Sequence, residues 1–375
     1  MAKRIAVLIA LSLALSAFPA LGQQPVRVKV IGNSRQLSLR CQGYCRVLDA
    51  RTQETVVEGE TVQAQIKSSR DGLLFDGRRL STDMLAVLPE DDAVLTVNGR
   101  AFRGELRISA KKRDAFTVVN RIGLEDYLKG ISVAETSHYW PMDALRAQAV
   151  VFRTYALYQK EQNAARDYDL SADVSSQVYA GRGGERYRFS QAVDDTSGEV
   201  LQYGRRILPA FFHSTCGGHT ENAAELWSLD SPPLAGVLCP YCTASPHYAW
   251  KTVVPASQLA VKLFAKTRYA GKRIGAVEII GRNASGRVKN IRIRTDAGAL
   301  VLSGKDFRAR AGVDSIRSTN FEVTAKGASF VFTGRGWGHG AGLCQWGAYS
   351  MAKAGADYKE ILEYYYPQAS LVTVQ

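Results

Sequence analysis

Glu135 is a lone carboxylate set between two apolar helical patterns, with Val133, Tyr139 and Trp140 as sequence neighbours. A carboxyl group so placed is partly desolvated. Desolvation disfavours the ionised form and raises the pKa toward what a general acid needs near neutral pH. A second reading stays open, in which Glu135 caps the following helix or pairs with Arg146 or Arg153, while Glu125 nearby reads as exposed.

A second chemistry is carried by sulfur and imidazole. Cys216 and His219 form a C-x2-H pair, and Cys239 and Cys242 form a C-x2-C pair about twenty residues later, the layout of a closed tetrahedral zinc site. Four protein ligands leave no position for water, so the expected zinc is structural. His213 and His247 are alternates for the imidazole ligand. A disulfide among Cys216, Cys239 and Cys242 competes in an oxidising space, although three cysteines cannot all pair. Cys344 reads as a small buried hydrophobe.

In GRGWGHGAG the glycines at 334, 336, 338, 340 and 342 alternate with Arg335, Trp337, His339 and Ala341. If extended, one face has no side chains and permits close approach by another chain or a glycan, and the other offers a cation, an indole and an imidazole. The alternative is that the glycines only permit close packing on the central helix.

Periodicity predicts the scaffold that holds these groups. Leu124, Tyr127, Leu128 and Ile131 predict a short amphipathic helix, and the residues from Met142 to Gln159, opened by Pro141, predict a central Ala-rich one. From Val26 to about Val118 the alternation is that of strands, with Cys41 and Cys45 flanking a Gly-containing turn that suits a local disulfide. After Ser257 a helix near 258–266 and several strands predict a second sheet packed on the central helix. Asp357 and Glu360 have capping-box spacing before a last helix that Pro367 stops, on which Tyr364, Tyr365 and Tyr366 are packing residues with wet tips. The expected class is α+β: a β-rich N-terminal domain at 23–115, then mixed sheets around the central helix at 116–375.

The 375 residues are 46% hydrophobic, enough for a sizeable core, and carry a formal charge of +13 that favours anionic partners. Lys3 and Arg4, the apolar run to Leu15 and Ala20-Leu21-Gly22 have the layout of a signal peptide over residues 1–22. Export to the periplasm or cell wall is therefore expected, with membrane contact only through the leader before cleavage. The leader and the lack of a nucleic-acid motif argue against a nucleic-acid partner.

Four blocks in order, VAETSHYWPMDALRAQAVVFRTYAL, SSQVYAG, FFHSTCGGHTEN and GRGWGHGAGLCQWGAYSMA, resemble the SpoIID/LytB family of stage II sporulation protein D and amidase enhancers. The resemblance implies a lytic transglycosylase acting on peptidoglycan glycan strands, with the family's acid/base falling on Glu135. It also implies that Gln177 and Tyr179 line the groove, where an amide and a phenol can bind sugar. It places Trp337 and His339 near that groove and supports zinc around Cys216. The family's other name implies the rival function, a wall-binding protein that stimulates an amidase or works with other wall-remodelling proteins.

Overall fold

The computed structural model describes the chain from residue 25 to residue 374, except residues 70–71, 91, 112–114, 136 and 174–175 and the side chains of Lys111 and residues 132–135. The signal segment expected at 1–22 lies outside the described residues. The α+β class is borne out: among the described residues an eleven-stranded sheet comes first, then helices interleaved with four small sheets.

The first sheet is antiparallel apart from one short parallel pairing, of Val28 with Leu170. Its period-two pattern is plain in Gln36–Asp49, where Leu37, Leu39 and Cys41 are buried and Ser38 and Arg40 exposed. Ala115–Ile122 pairs with both Val26–Ser34 and Glu105–Lys111, so the sheet runs on past residue 115. The disulfide expected at Cys41 and Cys45 is replaced by two free, buried thiols on one strand. Between them Gly43 sits at a register shift with φ of 94°, so the glycine makes a bulge where a turn was expected.

Helix α1 (Leu124–Glu135) follows the sheet and α2 (Met142–Gln162) follows α1, as the periodicity predicts. Helix α2 buries residues on every side over 144–157, among them Leu145, Val150, Val151 and Phe152. Each large aliphatic or aromatic group removed from water there contributes about 1.5–3 kcal/mol. Helix α3 (Tyr187–Asp195) packs on α1 and α2. After the short α4 (Ala223–Trp227), the chain leaves this core at Ala249 and returns at Arg335, two residues that face each other across antiparallel strands.

Between those points lies a second unit with α5 (Ala256–Phe264), α6 (Gly304–Ala311) and two three-stranded sheets. Its core of Trp250, Leu259, Phe264, Ile291, Phe307, Phe321 and Phe332 is distinct from the core around α2. The expectation that this sheet packs on the central helix is thereby corrected. That place is taken by α7 (Gln345–Lys353) and α8 (Tyr358–Tyr365). Helix α8 opens with the expected capping box, in which Asp357 accepts from the Glu360 amide and Glu360 from the Asp357 amide. The tyrosine tips are bonded internally: Tyr364 and Tyr366 donate to the carbonyls of Leu238 and Phe211, and Tyr365 lies 3.1 Å from Cys239 Sγ.

Arg153 on α2 ties these layers. Its guanidinium is fully buried and donates to both oxygens of Glu125 (2.7 and 2.6 Å) and to the carbonyls of Glu199 and Val193. Glu125, expected to be exposed, is three-quarters buried at the side chain. Glu125→Ala leaves a buried cation without its counterion. The expected loss, read by urea unfolding, is about 3 kcal/mol, the low end for a broken buried pair because Glu125 retains some solvent.

Candidate functional site

Glu135 is the last residue of α1, and its side chain lies outside the described residues. The helix has no basic residue in its last turn. Both cations expected as its partners are engaged elsewhere, Arg153 with Glu125 and Arg146 with Asp195 (2.8 Å) and Asp143 (3.2 Å). The loop between the helices is fastened by Arg188, which donates to the carbonyls of His138 and Trp140. Trp140 in turn packs against Trp346 and Tyr349 of α7 at ring separations of 5.3 and 5.2 Å, while Tyr139 beside it is exposed. The sequence reading missed this aromatic cluster, because α7 lies some two hundred residues downstream.

Gln177 and Tyr179, expected to line a groove, are core residues. Gln177 is fully buried and accepts from the Tyr127 hydroxyl (3.0 Å), and Tyr179 donates to Asn120 Oδ1 (2.9 Å) with its ring against Tyr127. Burial pushes the Tyr179 phenol well up. Both polar groups are satisfied inside the protein, so neither is presented to a sugar.

The sulfur site forms with a different fourth member. The Sγ atoms of Cys216, Cys239, Cys242 and Cys344 lie within 4.8 Å of one another, all buried, with Cys216 and Cys242 at 3.4 Å. His219 is outside the cluster: its Nδ1 donates to the Thr220 carbonyl at 2.6 Å. His213 and His247 are outside it too, the first donating to the Ala341 carbonyl and the second standing edge-on to Trp337. Cys344, read as a hydrophobe, is the fourth thiol. The parity of the cysteines was the available signal, since Cys344 completes a set of four where three had looked odd.

The chemistry of the set is that of a soft-metal cage. Backbone amides of Cys216 and Gly218 donate to the sulfurs of Cys344 (3.2 Å) and Cys216 (3.5 Å), which favours thiolate. Hydrogen bonds from Cys216 hold the Cys239 and Cys242 thiols below their ordinary range. Its bonds to those two thiols push Cys216 itself up, and burial raises Cys344. Four buried sulfurs at this spacing can hold one tetrahedral metal ion and leave no open position.

The Gly-rich run is not extended. Gly336, Gly338, Gly340 and Gly342 have φ of 78°, 114°, 98° and 69°, so the chain coils past Arg335, where its strand ends. It packs against residues 211–217: a Cβ on Gly342 would collide with the Phe211 carbonyl. The single face offering Arg335, Trp337 and His339 to a glycan is therefore a correction. Arg335 is exposed; Trp337 lies under Arg317 (4.9 Å) and against His247 (4.4 Å); His339 is boxed by Trp227, Phe211 and His213.

Burial, with Arg308 adding to it, pushes the His339 pKa down to about 4, and burial also lowers His213. A depressed folded-state pKa means that the unfolded chain takes up protons first, near 6.5. Stability is then full above pH 6.5 and lost as the pH falls through about 4. Urea midpoints at pH 7 and 4.5 are expected to differ more for the wild type than for His339→Gln. An equal pH dependence in the two would remove His339 from the account.

Known proteins match this arrangement in two pieces. A family described as SpoIID, stage II sporulation protein, matches residues 112–203, a span that includes α1, α2, their joint and α3. A domain of unknown function, DUF8618, matches residues 241–342, which take in the second unit. An uncharacterised protein of Brachyspira hyodysenteriae is 34% identical over 327 residues, 87% of this chain and 84% of its own length. Stage II sporulation protein D of Bacillus subtilis is 33% identical over 68% of this chain and 76% of its own length. The amidase enhancer of the same organism is 26% identical over 66% of this chain and 40% of its own length. With a sporulation protein D matched at that identity over three-quarters of its length, and with the family's segment carrying the helix joint, the chain belongs to the SpoIID/LytB family.

Proposed function

We propose that the protein is a cell-wall lytic transglycosylase that cleaves the bond from N-acetylmuramic acid to N-acetylglucosamine, with Glu135 as its one acid/base. The observation that carries this reading is the position of Glu135 at the C-terminal end of α1, inside the segment matched to the SpoIID family and with Arg146 and Arg153 committed to other carboxylates. A helix C-terminus bears partial negative charge, which disfavours an ionised carboxyl group there. The protonated acid gives its proton to the bridging oxygen as the C1–O bond breaks. The carboxylate so formed takes the proton of the muramoyl C6 hydroxyl as that oxygen bonds to C1. The products are an anhydro-muramoyl end and a free N-acetylglucosamine hydroxyl, with no water consumed and no second carboxylate required.

The same reading includes export through the leader at residues 1–22, so that the enzyme meets peptidoglycan outside the cytoplasm. Among the described residues no helix is long and apolar enough to cross a membrane. It also includes one structural zinc ion held by Cys216, Cys239, Cys242 and Cys344, which when bound would cross-link the 216–242 segment to the start of α7. The rival reading, a wall-binding protein that stimulates a separate amidase, draws on the amidase enhancer among the relatives. Purified protein incubated alone with sacculi distinguishes the two by mass spectrometry. Anhydro-muropeptides are expected; no release without an added amidase would favour the rival.

A further inference from the structure

The loop joining Ile274–Arg282 to Val288–Thr295 belongs to the second unit, yet it ends against the chain segment that bears Cys216. Asn283 Nδ2 and Ser285 Oγ donate to Glu221 Oε2 at 2.6 and 3.0 Å. Arg287 reaches further, donating from Nη2 to the Cys216 carbonyl (2.6 Å) and from Nη1 to the His219 carbonyl (2.8 Å).

Arg287 is 1% exposed, and its Nε has no partner among the described residues. Arg153, equally buried, is matched by both oxygens of Glu125, whereas among the described residues no carboxylate bonds to Arg287. Arginine stays protonated in proteins, so a full positive charge is held beside the Cys216 peptide. Glu221 acts on it as a negative charge, and the sulfurs of Cys216, Cys344 and Cys242 do so once they are ionised. Room for it is kept by Gly340, where a Cβ would lie 2.7 Å from the guanidinium carbon.

We infer that Arg287 is a positioning residue for the four-cysteine centre, supplying from the second unit the buried positive charge that a divalent metal on four thiolates leaves uncompensated. The inference rests on the zinc reading above. With metal bound all four sulfurs are thiolates, any protons they still carried having passed to solvent, and Zn²⁺ with four S⁻ carries a net charge of −2. Glu221 adds a further negative charge nearby, and Arg287 offsets one of the three. A buried charge without compensation is costly, and outer groups of this kind commonly set metal affinity by about 10- to 100-fold. The second unit thus governs how firmly the first holds its metal.

The test uses the full chain purified with zinc, its metal content measured first, and then the rate of zinc transfer to a chromogenic chelator. Arg287→Gln keeps a donor and loses the charge; Arg287→Lys keeps the charge and loses the planar fork. Zinc is expected to leave Arg287→Gln about tenfold faster than wild type, and Arg287→Lys close to the wild-type rate. Gly340→Ala, which displaces the guanidinium but leaves it in the chain, is expected to accelerate release as well and serves should Arg287→Gln fail to fold. Wild-type release from Arg287→Gln or Gly340→Ala overturns the inference, as does equal release from the Gln and Lys variants, which would mean a clamp without an electrostatic role. A wild-type protein that holds no zinc and has mapped disulfides among these cysteines overturns the metal reading, and this inference falls with it.

Discussion

Glu135→Gln is expected to lower release of muropeptides from purified sacculi by about 10²- to 10⁴-fold, the range that general acid/base assistance supplies, while leaving the melting temperature within a degree or two. The amide keeps the shape of the acid and cannot cycle a proton. Stability is spared because the nearby arginines are bound by Glu125, Asp143 and Asp195. Glu125→Gln would be a poor control for that reason, since it unpairs the buried Arg153. Glu363, exposed on α8, is the appropriate one. Activity lost in both variants, or in neither, would remove Glu135 from the catalytic role.

The second large effect concerns the sulfur cage. Cys344→Ala is expected to purify without zinc and to melt far below the wild type, because the binding energy of a structural metal is folding energy. His219→Ala is expected to keep one zinc per chain, since the four sulfurs form a complete set without it. Elemental analysis and thermal unfolding on the same preparations separate the two outcomes. Metal retained in Cys344→Ala and lost in His219→Ala would restore the three-cysteine, one-histidine arrangement.

These expectations mark where the sequence was legible. Helix α2 could be read because Pro141 and an unbroken run at helical spacing are local signals, and the capping box of Asp357 and Glu360 is local as well. Membership of the family was legible in motif order. The errors share a cause. Cys344 is brought beside Cys216 by the pairing of Phe212–His213 with Leu343–Cys344, a contact no spacing rule reveals. Gln177 and Tyr179 looked solvated because polar types in a Gly-rich stretch resemble a loop, yet each finds its partner in the core. In the GRGWGHGAG run alternation imitated a strand, whereas the glycines are required by left-handed backbone and crowded neighbours, which period-two reasoning does not register.

The side-by-side entry and exit of the second unit, Ala249 opposite Arg335, has a bearing on how the sulfur cage is assembled. Three of its thiols precede the unit in the chain and one follows it. In an unfolded chain, bringing Cys344 to Cys242 closes a loop of about a hundred residues; once the unit has folded, its paired ends shorten the effective loop to about fifteen, which lowers the closure entropy by about 1.7 kcal/mol. The cage therefore closes most readily around a unit that is already native, and capture of a metal by all four thiols would report that the interruption between them has folded.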